Sequence, residues 1–448
     1  MVAEDALIVS VSGIRGVVGA GLTPDVVTAF AVALGTYAGG GRIVLSRDGR
    51  PSGSVLRQAV IAGLLSTGCE VHDLGVTPTP TCGLAVRRLQ AAGGVQITAS
   101  HNPTRWNGLK FFGREGRVLS AAEGLHVQKL FKAGTLRRSA VNAVGPVQEC
   151  SQAGNWHRDR VLELVDGARI GEWPRDIFLD ANGGAGGPLG RSLLQALGCT
   201  VVCHGCAADG VFEHEPEPVA DNLGAICPLV PQHGAEIGFA LDPDADRLAL
   251  IDETGRYVGE ELTLALAAWF RLQQEKGPVV INMSTSRVVE DIARQFGCTC
   301  HRSAVGEANV TEKMREVGAV IGGEGNGGVI DPRVGYVRDP FIGMGLILNL
   351  LAETGQKMSE CVAKLPAYTI VKDKYAVERN RLPELFTKLV SRWPDASINR
   401  LDGLRLDWPD RWVHIRPSNT EPIVRVIAEA PIAAEAEAMC RNVRALML

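Results

Sequence analysis

One succession of residues recurs three times along this chain and limits what it can fold into. Residues 42–46 read as a strand, Arg47-Asp48-Gly49-Arg50-Pro51-Ser52-Gly53 as a polar loop and 55–65 as a helix. Gly68-Cys69 closes that helix before a second strand at 70–75. A second copy runs from the strand 177–180 through Ala181-Asn182-Gly183-Gly184-Ala185-Gly186-Gly187 and a helix at 189–197 to Gly198-Cys199 and the strand that follows. A third runs from 279–282 through Ser284-Thr285-Ser286-Arg287 and a helix at 288–296 to Gly297-Cys298. Strand, polar loop, helix, glycine and strand make a βαβ unit, whose strands must be parallel and whose crossover is right-handed. Three copies predict three related α/β domains with mixed, mainly parallel sheets. Beyond residue 369 the pattern changes to alternating stretches at 401–406, 412–415 and 423–428, closed by a helix at 433–446. These predict a smaller C-terminal α+β domain. The expected boundaries are 1–153, 154–256, 257–368 and 369–448, since 448 residues exceed what one core usually serves.

Four loops carry residue types suited to chemistry. The run Gln96-Ile97-Thr98-Ala99-Ser100-His101-Asn102-Pro103 follows a short apolar strand read at 91–95. Pro103 pushes Asn102 out of the helical region, which sets Ser100 on an exposed turn at a strand end, where α/β sheets hold ligands. On its own this stretch also reads as a capped turn. Asp242-Pro243-Asp244-Ala245-Asp246-Arg247 places three carboxylates at alternate positions. Such hard oxygen donors suit Mg²⁺, which takes about six oxygens and accepts phosphate among them. A calcium hand is excluded because Arg247 stands where its loop needs glycine and 248–251 reads as a strand. Gly322-Gly323-Glu324-Gly325-Asn326-Gly327-Gly328 holds one acid among glycines. Arg416-Pro417-Ser418-Asn419-Thr420-Glu421-Pro422 offers a guanidinium, hydroxyls and an amide.

In this order and spacing the four loops resemble the active-site loops of the α-D-phosphohexomutases, the phosphoglucomutase and phosphomannomutase superfamily. The resemblance spans nearly the whole chain. It implies that Ser100 is a phosphorylated nucleophile, with Asp242, Asp244 and Asp246 holding Mg²⁺ and the phosphoserine as fourth anchor. It implies that Glu324, with Asn326, reads the sugar hydroxyls. Arg416, Ser418, Asn419 and Thr420 would cradle the phosphate that does not react, with Arg425 as a second guanidinium. Arg15, in Ser12-Gly13-Ile14-Arg15-Gly16, corresponds to a phosphate or transition-state contact, although an Arg between glycines also reads as a solvated turn. Lys110, in a strand read at 108–112, stands where the family places a lysine for proton transfer or substrate phosphate. Arg247 would neutralise part of the acidic cluster, and His101 reads equally as catalytic or structural. Members of the family often carry His where this chain has Gly328, so any acid–base role of that residue must move, to Lys110 or Arg15. The expected reaction interconverts hexose 6-phosphate and hexose 1-phosphate through a hexose 1,6-bisphosphate. The Glu324 loop and Gly306-Glu307-Ala308-Asn309 resemble an archaeal-type branch. That puts phosphoglucosamine mutase first, a dual phosphomannomutase/phosphoglucomutase second and a non-catalytic sugar-phosphate sensor a distant third.

Bulk properties narrow the partners. The chain is 46% hydrophobic and 21% charged with a formal net charge of -4, which offers no basic surface to nucleic acid or anionic membrane. Any phosphate site is therefore local, and the expected partner is a small hexose phosphate bound by a monomer or homodimer. The 11 Cys are scattered, no apolar run approaches a membrane span, and no signal-like segment opens the chain. A cytoplasmic setting is the expectation. Cys203-His204-Gly205-Cys206 reads as free thiols, with a metal or redox pair as the alternative. Phe212-Glu213-His214-Glu215-Pro216-Glu217-Pro218 reads as a loop with a positional role. Neither Ser100 nor His101 has triad partners evident in the chain, which excludes a serine hydrolase.

Overall fold

The computed structural model describes residues 7–134, 136–172, 176–417 and 423–447. Its strands form four sheets. The first has seven strands in the order Ile8–Ser10, Gly13–Val17, Trp106–Gly113, Gly93–Ile97, Arg42–Arg47, Glu70–Val76 and Val147–Glu149. Strand Arg42–Arg47 pairs in parallel with both its neighbours, as the βαβ reading requires, whereas Trp106–Gly113 runs antiparallel. The second sheet joins Leu248–Asp252, Ile237–Leu241, Asp176–Asp180 and Thr200–His204. The third joins Cys300–Ser303, Val279–Asn282, Ile321–Glu324 and Gly328–Ile330. In each of these two sheets only one edge pair is antiparallel, and in each that pair is a hairpin, one turned by the triple-Asp loop and the other turning directly after Glu324. The last sheet, Thr369–Ala376 to Ser397–Asn399, is antiparallel throughout. The architecture is three α/β layers and a smaller α+β unit, as the three repeats and the alternating tail predict.

Several local expectations are corrected. A helix outside the three repeats, Thr79–Arg88, begins within Thr77-Pro78-Thr79-Pro80-Thr81, with Pro80 in its first turn, where a missing N–H costs nothing. The Arg15 segment is no turn but the strand Gly13–Val17, and the first sheet gains an edge strand, Val147–Glu149, that the three repeats do not include. The strand before Ser100 lies two residues later than read, at Gly93–Ile97, and all five of its residues are buried.

The cores explain how the sheets are held. The first unit holds two apolar clusters, one with Phe30, Leu45, Val95 and Phe111 and one with Val44, Cys82, Val86 and Phe112, and the last unit has its own, with Leu389, Ile415 and Val443. The second and third sheets share a single cluster from Val161 to Cys361 that includes Leu241, Leu248, Ile281 and Phe341. Helix Pro340–Thr354 lies in the middle of it and is buried along most of its length. Continuous apolar packing makes those two units rigid against each other, so the loops between them keep fixed distances.

Candidate active site

The serine turn is built from a buried strand and a buried ion pair. Strand Gly93–Ile97 ends inside the protein, and Ser100 follows with φ of 51°, a left-handed conformation unusual for a residue with a side chain. Three supports hold it. The Ser100 N–H donates to Thr98 Oγ1 at 2.8 Å, and the Thr98 hydroxyl donates to Asp48 Oδ2 at 2.7 Å. Arg50, paired with Asp48, donates to the Ser100 carbonyl at 2.7 Å and also to that of Asn102. Its guanidinium stacks 5.1 Å from the Phe212 ring centroid. Asp48 and Arg50 are fully buried. The sequence reading passed over this pair; two opposite charges two positions apart at the end of a βαβ strand were the available signal.

The acidic loop is the turn of the hairpin in which Leu241 faces Leu248. Asp242 Oδ1 accepts the N–H of Asp246 at 3.0 Å and of Arg247 at 3.1 Å, and Ala245 takes φ of 49°. The chain thereby folds its three carboxylates onto one point, where an oxygen of each lies within 4.8 Å of the others. All three side chains are fully buried, and Oδ1 of Asp244 and of Asp246 has no hydrogen-bond partner. Buried carboxylate oxygens without donors fit a hard divalent cation such as Mg²⁺. Among the described residues this is the only cluster of three or more potential ligands, and Cys203 and Cys206 belong to none.

Domain contacts bring the other groups to the same place. Ser100 Oγ donates to Asp242 Oδ2 at 3.0 Å and lies 3.3 Å from His101 Nδ1. Lys110, from the antiparallel strand of the first sheet, donates to Asp244 Oδ2 at 2.9 Å and Asp246 Oδ2 at 2.7 Å. Thr79, at the start of its helix, donates its hydroxyl to Asp244 Oδ2 at 2.6 Å and its N–H to the Asp244 carbonyl at 2.9 Å. Electrostatics split the triad. Burial, and then the neighbouring Asp244 and Asp246, push Asp242 well above the carboxylate range. Burial acts the same way on Asp244, but Lys110 and Thr79 outweigh it and hold its carboxyl down. Burial, with Arg247 and Arg15 nearby, drops His101 well below its usual value, so its ring is neutral at pH 7.

These groups open on a cavity of about 800 Å³ lined by Arg15, His101, Arg247, Glu324, Asn326, Arg416 and Arg425, among others. Arg15 reaches Asn102 Oδ1 at 3.5 Å. Arg247 donates to Glu217 Oε1 at 2.7 Å, which brings the Phe212–Pro218 loop to the cavity wall. Glu324 Oε1 accepts from Asn282 Nδ2 at 2.8 Å and from the Gly306 N–H at 3.0 Å, and Asn326 Oδ1 is buried without a partner. Arg416 and Arg425 face each other directly across antiparallel strands. Like charges so placed repel; Asp402 Oδ2, 3.2 Å from Arg416 Nε, offsets part of the repulsion, and an anion between the two guanidiniums would remove the rest. Ser418, Asn419 and Thr420 lie outside the described residues. Sequence reasoning also missed Arg338, which donates to Asp246 Oδ2 at 2.5 Å and Glu324 Oε2 at 3.2 Å.

Comparison with known proteins gives the family. Residues 7–138, 157–255 and 259–368 match the phosphoglucomutase/phosphomannomutase α/β/α domains I, II and III, and 394–446 match the C-terminal domain. A protein of Methanopyrus kandleri named "probable phosphoglucosamine mutase" is 36% identical over 442 residues, covering 97% of this chain and 95% of that one. A phosphoglucomutase/phosphomannomutase of Thermococcus kodakarensis is 35% identical, covering 93% of both. The crystal structure of a phosphoglucomutase/phosphomannomutase family protein from Burkholderia thailandensis superposes with a TM-score of 0.86 at 27% identity, covering 98% of this chain and 97% of that one. The chain belongs to the phosphoglucomutase/phosphomannomutase family, and it is a phosphohexomutase.

Proposed function

We propose that this phosphohexomutase acts through Ser100 and a divalent cation, most readily on glucosamine phosphate, interconverting the 6-phosphate and the 1-phosphate. The observation that carries the reading is the Ser100 hydroxyl set 3.0 Å from Asp242 inside a triad with two unpartnered carboxylate oxygens. Asp242, Asp244 and Asp246 would hold the cation, and Mg²⁺ bound there would supply the electrostatic help that a weak serine nucleophile or leaving group needs. Ser100 carries the phosphoryl group. The free hydroxyl of the bound sugar takes it, giving a hexose 1,6-bisphosphate. After the sugar turns over, the other phosphoryl group returns to Ser100.

The remaining roles follow from position. His101, neutral and 3.3 Å from Ser100 Oγ, can accept a proton there. Lys110 balances the charge of the triad, and Arg15 and Arg247 face the reacting phosphate. Glu324 and Asn326 read the sugar hydroxyls, while Arg416 and Arg425 grip the phosphate that does not react. That grip supplies binding energy for positioning.

Glucosamine phosphate is placed first because of the Glu324 loop, the Gly306–Asn309 segment and the name of the Methanopyrus relative. Dual action on glucose and mannose phosphates is the second reading, favoured by a Thermococcus relative of nearly equal identity. The test is conversion of glucosamine-6-phosphate, glucose-1-phosphate and mannose-1-phosphate side by side, with Mg²⁺ and a trace of hexose 1,6-bisphosphate. The expected result is a clear ranking led by glucosamine phosphate, abolished by Ser100→Ala. Turnover that survives Ser100→Ala would overturn the assignment of the carrier.

A further inference from the structure

The geometry points to Arg338 as a positioning residue that couples the acidic triad to Glu324, competing with the cation on one side and orienting the sugar acceptor on the other. The inference rests on the reading of the triad as a metal site and of Glu324 as the sugar reader. Arg338 is buried at 8% exposure and spends its donors on three different elements. One terminal nitrogen bonds Asp246 Oδ2 at 2.5 Å and the other Glu324 Oε2 at 3.2 Å. Nε lies 3.3 Å from Glu307 Oε2, and the Arg338 backbone N–H donates to Glu307 Oε1 at 3.0 Å. Glu307 opens the helix Glu307–Val317, so the guanidinium is held from behind by a fixed carboxylate.

The surroundings are shaped for this side chain. A Cβ at Gly328 would stand 2.3 Å from Arg338 Cδ, so the absence of a side chain at 328 is what admits the arginine. The two loops that Arg338 joins also touch through their backbones: the Leu248 N–H donates to the Gly327 carbonyl at 3.1 Å, and a Cβ at Gly327 would meet the Leu248 carbonyl at 2.3 Å. Both loops belong to the units that share one apolar core, so Arg338 bridges groups whose separation is fixed. A planar fork with five donors can serve Asp246, Glu324 and Glu307 together; a single ammonium or a neutral side chain cannot.

Two effects of opposite sign follow. A cation already seated on Asp246 opposes a second one, so removing it should tighten divalent binding. The same removal frees Glu324 on one side and should loosen the sugar. A merely structural role would weaken both. The experiment titrates Mn²⁺ into the metal-stripped full-length protein, followed by electron paramagnetic resonance, and separately measures KM and kcat for glucosamine-6-phosphate. Wild type, Arg338→Met, Arg338→Lys and Asp242→Asn are compared. The expected result for Arg338→Met is an Mn²⁺ Kd lowered at least threefold with KM raised about tenfold or more, KM changing more than kcat. Arg338→Lys, which keeps a charge, should hold the Mn²⁺ Kd within twofold of wild type and still raise KM. That variant carries the test if the methionine variant does not fold. A Kd that rises in Arg338→Met, or a KM unchanged in both variants, overturns the coupling. If wild type binds no Mn²⁺ that Asp242→Asn removes, the metal reading itself fails, and the coupling fails with it.

Discussion

The buried Asp48–Arg50 pair makes a strong prediction, because it supports Ser100 without facing the substrate. In Arg50→Met the aliphatic bulk is kept and the charge is lost. Asp48 is left in a site with no exposure, retaining the Thr98 hydroxyl and the residue 50 N–H. The carbonyls of Ser100 and Asn102 lose their charged donor at the same time. Breaking a buried pair by removing one partner costs about 3–5 kcal/mol. The first domain matches its family over residues 7–138. At about 2.1 cal/mol/K per residue, a unit of that size unfolds with roughly 0.28 kcal/mol/K of entropy. Its transition should therefore fall by roughly 11–18 °C. Burial already pushes the Asp48 carboxyl up with Arg50 beside it. Without Arg50 it takes up a proton more readily still, so the deficit shrinks as pH falls and the lower end of the range applies in mild acid. Activity should fall by about 100-fold, the effect of a nucleophile displaced by about 1 Å. The assays are differential scanning calorimetry and steady-state kinetics on Arg50→Met and on Asp48→Asn combined with Arg50→Met. The double variant has no stranded charge and should recover most of the stability and little of the activity. A transition lowered by less than about 3 °C in the single variant, or activity restored in the double one, would refute the argument.

Three further outcomes are expected. Asp242→Asn should weaken Mn²⁺ binding at least tenfold, measured by titration, because it removes one of the three carboxylates proposed to hold the cation. Asp180 holds both His204 and His214. Its hydrogen bond raises the His204 pKa, and the same contact outweighs the burial that depresses His214, so both pKa values lie above the ordinary value. A raised folded-state pKa gives stability that is full below about pH 6.5 and is lost as pH rises through the shifted value. The melting-temperature gap between wild type and Asp180→Asn should then be wider near pH 6 than near pH 9, and an equal gap at both would contradict it. All eleven cysteines are free. Burial pushes Cys82, Cys300 and Cys440 up to about 12 and Cys199 to about 11, whereas Cys203 is exposed. Brief maleimide treatment near neutral pH should label Cys203 first, and mass mapping that finds any of these four raised-pKa thiols labelled ahead of it would count against this packing.

How much of this was legible in the sequence depended on whether the cause was local. Helix Ala121–Ala133 carries its own signals in the sequence, since Ser120 and Glu123 form a capping box and Gly134 ends it in a left-handed turn. Helix Glu260–Gln274 carries one in its apolar run. The triple-Asp turn was readable because its ligands lie within five residues. Arg338 was not, because a buried charge is recognised only by its partner, and Arg50, though Asp48 stands two positions away, takes its role from the Ser100 and Asn102 carbonyls about fifty positions on. Asp246 is 92 positions from Arg338, and Asp244 is 134 from Lys110. The same holds for Arg15: its strand lies inside the sheet, between Ile8–Ser10 and Trp106–Gly113, and no local signal announces the pairing with the second. Gly328 read as an absence, a position without the histidine common in the family, until the side chain filling that space was visible.

The last unit meets the third mainly through polar contacts, and this sets a final expectation. Its apolar cluster is separate from the one shared by the second and third sheets. What joins them includes the Val305 N–H donating to Asp402 Oδ2 at 3.0 Å, Ser284 Oγ 2.9 Å from His414 Nδ1, and Lys372 bridging Glu260 at 3.2 Å and Glu261 at 3.1 Å. The joint also has a buried part, where the Arg287 N–H donates to Glu429 Oε1 at 3.0 Å and Arg405 donates to the Met283 carbonyl. Lys372 therefore stands at its exposed rim, where water can replace a polar contact at little cost and the cavity can open with least loss. Lys372 is 46% exposed in its side chain, which puts the value of its bridge at about 0–1 kcal/mol. Removing it does not strand a charge at Glu261, because burial, opposed by Lys372, already raises that carboxyl to about 7 and it can take a proton. Lys372→Met should therefore leave the melting temperature within about 3 °C of wild type. It should shift the closed-to-open ratio by up to about fivefold toward open. The reading is a two- to fivefold rise in KM with kcat unchanged or higher, accompanied by a larger radius of gyration in X-ray scattering, since an easier opening also speeds product release. A melting temperature lower by 10 °C or more would show the bridge to be structural cement instead of a latch, and an unchanged KM and radius would remove Lys372 from the opening altogether.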